Sequence, residues 1–420
     1  MTELHEPATP PHLQISQMPS EGRGHYASRA NGGKLGGMAV FPITPTALGL
    51  AYSRYGDRLS AIRQVDRLLH MYIVGQTGVG KSTLLGRMVE QDDAAGRGFC
   101  LIDPHGDLAE AVHACCPDAL YWNVADPASP YGYNPLTRTS PALRPLVTSG
   151  LIEALRKQWA DAWGVRMEHL LRHAILALLD CPDADLRDIP RLFLDRSFRV
   201  EVLTHVTDPQ VRQFWTAEYP AMNYKNASDG FAPIANKLGA FLSHPTVRQA
   251  LCEPEQPLRF RAIMDQGQGL IVNLAKGRLG ADVANVLGGI LVSSITHAAF
   301  TRHDIPEAAR RPFFLYVDEF HSFTTEAVAD LLSETRKYRL GLILAQQHIQ
   351  QTVPPVFASI IGNAGTMIVF RVGASDALLL AAHLGLEHPG DLLTQPNYRA
   401  NVRMMLDNAP SRAFSMRTCP

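Results

Sequence analysis

Cysteine is scarce, with six in 420 residues. That is too few for a disulfide scaffold, and the adjacent Cys115 and Cys116 fit no zinc spacing. A reducing, cytoplasmic compartment is the expectation. A surplus of charge is lacking too. Lys plus Arg is 39 and Asp plus Glu is 40, a net charge of -1. This excludes a chain coated with positive charge for nucleic acid. It leaves room for a local basic channel, because a balanced total does not locate the charges. Long apolar runs are also missing. The opening MTELHEPATP has no basic stretch followed by an apolar core, so no export signal is expected. The most apolar long stretch, 285–300, is interrupted by Gly288, Gly289, Ser293, Ser294, Thr296 and His297. It falls short of the roughly 18–20 apolar residues of a membrane span. A buried helix is expected there, with no direct membrane insertion, so any attachment to a membrane falls to a partner.

What is present suits a folded, globular chain. Hydrophobic residues are 46% and charged residues 19%, which excludes disorder over most of the length. The length leaves room for two or three domains. Residues 1–45, rich in Pro, Gly and polar side chains, read as a flexible tail. Residues 46–140 read as the first part of an α/β domain. LLHMYIVG (68–75), GFCLID (98–103) and LYWNV (120–124) are short buried strands, separated by helical stretches. Strand signals almost vanish over 141–265, where apolar residues recur at helical spacing, so an inserted all-α domain is expected. Strands resume over 266–420, at 269–275, 313–320, 340–346 and 366–372, with a long helix at about 281–302. Residues 397–418 read as a hairpin at the sheet edge, turning at Asn408. The fold class is α/β, with a parallel central sheet.

The strongest local signal is Gly75-Gln76-Thr77-Gly78-Val79-Gly80-Lys81-Ser82-Thr83. It is a complete G-x-x-x-x-G-K-S between an apolar strand and a helix, which is a phosphate loop. The glycines let the backbone curl so that successive N–H groups point at phosphate oxygens. The helix that starts at Lys81–Thr83 adds its positive end. Lys81 reaches the β- and γ-phosphates, and Ser82 is a Mg²⁺ ligand. These features imply ATP and Mg²⁺.

The second half adds a hydrolytic apparatus. The strand FFLYV ends in Asp318 and Glu319. Asp318 is expected to hold Mg²⁺, and Glu319 to polarise a water for in-line attack on the γ-phosphate. Gln346 and Gln347 end the strand LGLILAQ, and one of them is expected to sense the γ-phosphate, with Gln347 preferred. Asp103 ends the second strand, at the face where open α/β sheets bind ligands. It is open to two readings, a partner of Mg²⁺ or a turn-forming Asp before Pro104.

The motifs GQTGVGKSTLL, LIDPHGDLAEAV, YNPL (133–136), NLAKGRLG (273–280), LYVDEF, ETRKYRLGLILAQQH and FRVGASDALLLAAHLG resemble, in this order, the FtsK–HerA superfamily of DNA-pumping ATPases. The resemblance runs from about His70 to the C-terminal end. It points to the branch that contains the coupling ATPases of conjugation and type IV secretion. It implies a RecA-like motor domain carrying an all-α domain, a homo-hexameric ring around DNA, and ATP hydrolysis at subunit interfaces. A trans-acting arginine is implied there, with Arg336 and Arg371 as candidates. A membrane-anchored transfer partner is also implied, since such coupling proteins usually begin with membrane helices. This chain has His105 where many relatives carry Lys, which weakens a phosphate role for that turn.

The DNA contacts implied by the resemblance are to the backbone, with little base readout. The polar stretch 223–230 reads as a loop within reach of a channel or as a solvated loop. In the basic run 156–172, Trp159 and Trp163 read as core. His169 and His173 lie four apart on a helix, without a Glu in the H-E-x-x-H place, and no zinc site is expected. The competing function is an ATPase that energises polypeptide secretion or complex assembly, with no DNA substrate.

Overall fold

The computed structural model describes residues 44–137, 139–222, 224–323, 332–406 and 409–418. The expected tail falls outside them except for its last two residues. The apolar runs form parallel strands β3 (Met71–Val74), β4 (Gly98–Asp103), β5 (Leu120–Asn123), β6 (Gly269–Asn273), β7 (Phe313–Val317), β8 (Leu340–Gln346) and β9 (Thr366–Val369). They lie in the order β9–β3–β8–β7–β4–β6–β5. Every residue of β3, β4, β7, β8 and β9 is buried, which explains why they read as continuous apolar runs. Within them the two-residue alternation still sorts side chains between two cores. Tyr72, Val74, Leu315, Val317 and Leu344 face one core; Ile73, Phe314, Tyr316 and Ile343 face the other.

The sheet continues past β9 through antiparallel strands. β10 (Arg399–Arg403) and β11 (Phe414–Arg417) form the expected hairpin. Its predicted turn at Asn408 lies outside the described residues. The hairpin is not the edge of the sheet, however. β1 (Thr46–Ala51) pairs with β11, and β2 (Arg58–Ile62) pairs with β1 and ends the 11-stranded sheet. Residues 46–62 were not expected to be strands, because TALGLA and RLSAI rely on Ala, Gly and Leu and have few of the β-branched and aromatic residues that favour strands.

Helices α1 (Lys81–Ala94) and α2 (Asp107–Cys115) cover one face of the sheet. The other face shares one continuous apolar core with the helical block: α3 (Arg144–Gln158), α4 (Val165–Leu178), α5 (Tyr224–Leu242) and the smaller helices around them. Residues 224–230, expected as a loop, are the first turns of α5; Asn223 lies outside the described residues. Their polar composition hid a helix whose apolar residues begin further on, at Phe231 and Ile234. Helix α6 (Ala281–Phe300) is long and apolar enough to cross a membrane by length and composition, more so than its interruptions suggested, and it is mostly buried, packed chiefly on α3.

Candidate functional site

Parallel register aligns three strand ends. Val74 of β3 lies opposite Gln346 of β8, and Leu344 of β8 lies opposite Val317 of β7. The chain leaves β3 into the phosphate loop, leaves β7 into Asp318-Glu319, and leaves β8 into Gln347. Three sequence-distant motifs therefore meet in one cleft, lined by Lys81, Ser82, Asp103, Asp318, Glu319 and Gln347 among others.

The loop's conformation depends on Gly80, which has φ 110°. A side chain there would be strained, and its Cβ would meet the Tyr398 ring at 2.7 Å. Gly75 starts the loop, Gly78 has φ 77°, Val79 is fully buried beneath it, and Thr83 lines the cleft. Lys81 is buried, and its ammonium donates to the carbonyls of Gly75 at 2.6 Å and Gln76 at 3.0 Å. Burial lowers its pKa, while Glu319 and Asp318 pull the other way.

Ser82 Oγ donates to Asp318 Oδ2 at 3.2 Å. Burial, then the charges of Glu319 and Asp103, push the Asp318 carboxyl up to about 6, against Lys81. Asp103 is engaged as a turn former, accepting backbone N–H bonds from His105, Gly106 and Ala109, each at 2.9 Å. It also adds charge to the cleft. The site thus crowds three carboxylates around one ammonium. That donor set fits a divalent cation, for which Ser82 Oγ and Asp318 would be the protein oxygens. Among the described residues, no group of three or more His, Cys, Asp or Glu forms a separate metal site.

Glu319 adopts a left-handed backbone, φ 47° and ψ 43°, which is strained for a side chain with a Cβ. Its Oε1 accepts from Gln347 Nε2 at 2.6 Å, and Gln347 Oε1 accepts from Thr77 Oγ1 at 2.9 Å. Gln347 therefore bridges the phosphate loop and the carboxylate. Gln346 points elsewhere: it donates to the Tyr72 hydroxyl at 2.6 Å and accepts from Thr352 at 2.7 Å, fully buried between strands.

The two arginines part ways. Arg371 sits on its own phosphate loop: Nε donates to Gln76 Oε1 at 3.2 Å, and its carbonyl accepts from the Gln76 N–H at 2.9 Å. Arg336 is exposed in the short turn before β8. It lies at the opposite end of that strand from its own cleft, roughly 20 Å away at 3.3 Å per residue. Of the other candidates, Trp159 is buried and Trp163 half-buried, donating to Glu168 at 3.0 Å. His169 lies 2.9 Å from Glu218 Oε1, and His173 stacks on Phe214. Two residues at the cleft had no sequence signal. Tyr398 packs on Gly80 from the start of β10, and His321 faces Glu319 from the turn after it.

No family model matches the chain, and no curated protein does. Its fold is shared with solved structures. VirB4 of Thermoanaerobacter pseudethanolicus is similar at a TM-score of 0.64 and 13% identity, over 89% of this chain and 96% of that one. The plasmid coupling protein TrwB, in complex with ADP and Mg²⁺, is similar at 0.60 and 15%, over 91% and 97%. An unbound form of the bacterial conjugative coupling protein TrwB is similar at 0.59 and 14%, over 86% of each chain. At these identities the likeness establishes a common fold, the RecA-like P-loop α/β architecture.

Proposed function

We propose that this chain is an ATP-hydrolysing motor that translocates DNA in conjugation or type IV secretion. The observation that carries the reading is the contact chain from Thr77 through Gln347 to Glu319, joining the phosphate loop to a strand-end carboxylate. A nucleotide switch has no need of a carboxylate placed to activate water. The shared fold with a conjugative coupling protein and with VirB4 supports the biological setting.

In this reading the loop's backbone N–H groups hold the ATP phosphates, and Lys81 turns from the loop carbonyls to phosphate oxygens. Ser82 and Asp318 would hold Mg²⁺, which would supply charge neutralisation on the phosphates. Glu319 accepts a proton from the attacking water. Gln347 turns its Nε2 donor from Glu319 to a γ-phosphate oxygen, so that Glu319 is released when nucleotide is in place. Arg336, remote from its own cleft and exposed, serves a neighbouring subunit's site in a homo-hexameric ring. Arg371 takes a role within its own subunit, bracing Gln76. The motor works in the cytoplasm, docked to a membrane-anchored transfer partner, and grips the DNA backbone with low sequence preference.

The test is steady-state ATP hydrolysis at fixed salt, with and without single- or double-stranded DNA, repeated in Glu319→Gln. Stimulation by DNA is expected, lost in the variant and weakened as salt rises. Hydrolysis indifferent to both DNA forms would move the reading to a polypeptide-handling ATPase. No hydrolysis by the unaltered chain would sink both.

A further inference from the structure

Glu319 has one oxygen that the mechanism above does not employ. Oε1 accepts from Gln347, but Oε2 is buried with no hydrogen-bond partner among the described residues. The group that faces it is the imidazole of His321, with Nδ1 at 3.4 Å. That nitrogen is also buried, with no hydrogen-bond partner among the described residues. On the far side of the ring, Nε2 lies 3.4 Å from Ser322 Oγ. Burial lowers the pKa of His321; Glu319 opposes this, and Lys157, Lys276 and His348 add to it. Burial thus favours the neutral form of the ring. The tautomer with a proton on Nδ1 donates to the carboxylate and accepts from the Ser322 hydroxyl, which answers both nitrogens. The separation exceeds the roughly 2.7–2.9 Å of a closed charge-assisted bond. A small movement of the turn that carries His321 opens or closes the pair.

That turn, Phe320–Ser322, is gripped by the helical block. Lys157 Nζ donates to the carbonyl of His321, and Gln158 Nε2 donates to that of Ser322 at 3.4 Å. Both donors sit in the last turn of α3. Phe320 and Phe323 are fully buried on either side. Phe323 fits because position 288 of α6 is glycine; a Cβ there would meet the ring at 2.3 Å.

We propose that His321 is a positioning residue for Glu319, and that α3 sets its place through Lys157 and Gln158. The helical block then acts on the hydrolytic carboxylate through one carbonyl and one imidazole. This rests on the reading of Glu319 as the base. It goes beyond that reading by naming the path along which the helical block governs hydrolysis.

The test compares kcat with nucleotide affinity, the latter from titration of a fluorescent ATP analogue. His321→Ala is expected to lower kcat about tenfold, the scale of a slightly misplaced group, with affinity within twofold. His321→Asn, which keeps a donor near the place of Nδ1, restores most of kcat; His321→Gln, which reaches toward Nε2, does not. Lys157→Met lowers kcat about threefold, and combined with His321→Ala adds nothing further, because the two act as one unit. A kcat within twofold of the parent in folded His321→Ala, or additive losses in the double variant, overturns the proposal. If His321→Ala does not fold, His321→Asn, His321→Gln and Lys157→Met decide: equal kcat in all three overturns it. Hydrolysis that survives Glu319→Gln overturns the reading of Glu319 and this proposal with it. Hydrolysis lost in Glu319→Gln but intact in His321→Ala overturns the positioning role alone.

Discussion

Strand β7 carries two charged clusters a few residues apart, built on opposite terms. At Tyr316, Arg67 donates to both oxygens of Asp92 at 2.7 and 2.8 Å, Tyr316 donates to Asp92 at 2.6 Å, and Arg97 donates to Asp92 at 2.7 Å. The Arg67 guanidinium also lies 3.7 Å above the Phe314 ring. Burial works against its charge, but Asp92 and Tyr316 outweigh it and raise its pKa. Two residues on, Asp318 and Glu319 join Asp103 around a single ammonium. Asp318 is pushed toward protonation, and one Glu319 oxygen has no hydrogen bond among the described residues. The first cluster pairs its charges from within, leaving only Arg67 Nε without a hydrogen bond among the described residues, and stiffens the join between α1 and the sheet. The second leaves charge unanswered, and only an added cation and phosphates answer it. Burial alone does not mark a functional site; buried like charges crowded together do.

This contrast can be broken by experiment. Glu319→Gln should lower hydrolysis about 10²–10⁴-fold without lowering the denaturant midpoint, since the amide keeps an oxygen for Gln347 and removes a buried like charge. A large fall in denaturant midpoint in that variant would erase the distinction. Asp92→Ala should do the reverse. It leaves two buried arginines uncompensated and should cost about 3–5 kcal/mol of unfolding free energy, as read by denaturant titration.

Acid should separate the two kinds of group by sign. Burial lowers the pKa of His70 and of His297 to about 4 in each case, from 6.5. Between those values the unfolded chain binds more protons, so each imidazole's contribution, roughly 3 kcal/mol, fades as pH falls from about 6.5 to about 4. Asp318 runs the other way. Its folded pKa is raised, so its contribution is full below its unfolded value and is lost as pH rises through about 6. Asp318→Asn should therefore raise the melting temperature at pH 7, by the equivalent of roughly 1–3 kcal/mol, while removing Mg²⁺-dependent hydrolysis. The same variant should give little gain at pH 4.

Much of the architecture was legible because its signals are local. A buried parallel strand is an apolar run, and a phosphate loop is a fixed spacing, so β3 through β9 and residues 75–83 stand out. Strands β1 and β2 do not, since their partner lies at the far end of the chain and their burial is partial. At the cleft, neighbouring glutamines were distinguishable only by geometry: Gln346 still obeys strand alternation and points to Tyr72, while Gln347 has left the strand and turns to Glu319. His321 and Lys157 were illegible for another reason. A turn has no period, and Lys157 acts by donating to a backbone carbonyl, which no side-chain pattern announces. The helical start of α5 was hidden because polar residues there mimic a loop.

The strand order also has a consequence for how the chain is made. β3, with the phosphate loop at its end, is flanked by β8 and β9, and β1 by β11. During synthesis, β3 leaves the ribosome with neither neighbour, and more than half of the chain must follow before the first arrives. At about 5–20 residues per second that delay is tens of seconds. Through all of it an apolar strand waits unpaired, and the cleft that would bind nucleotide lacks two of its three walls. The nucleotide cleft is therefore one of the last features of the chain to be completed.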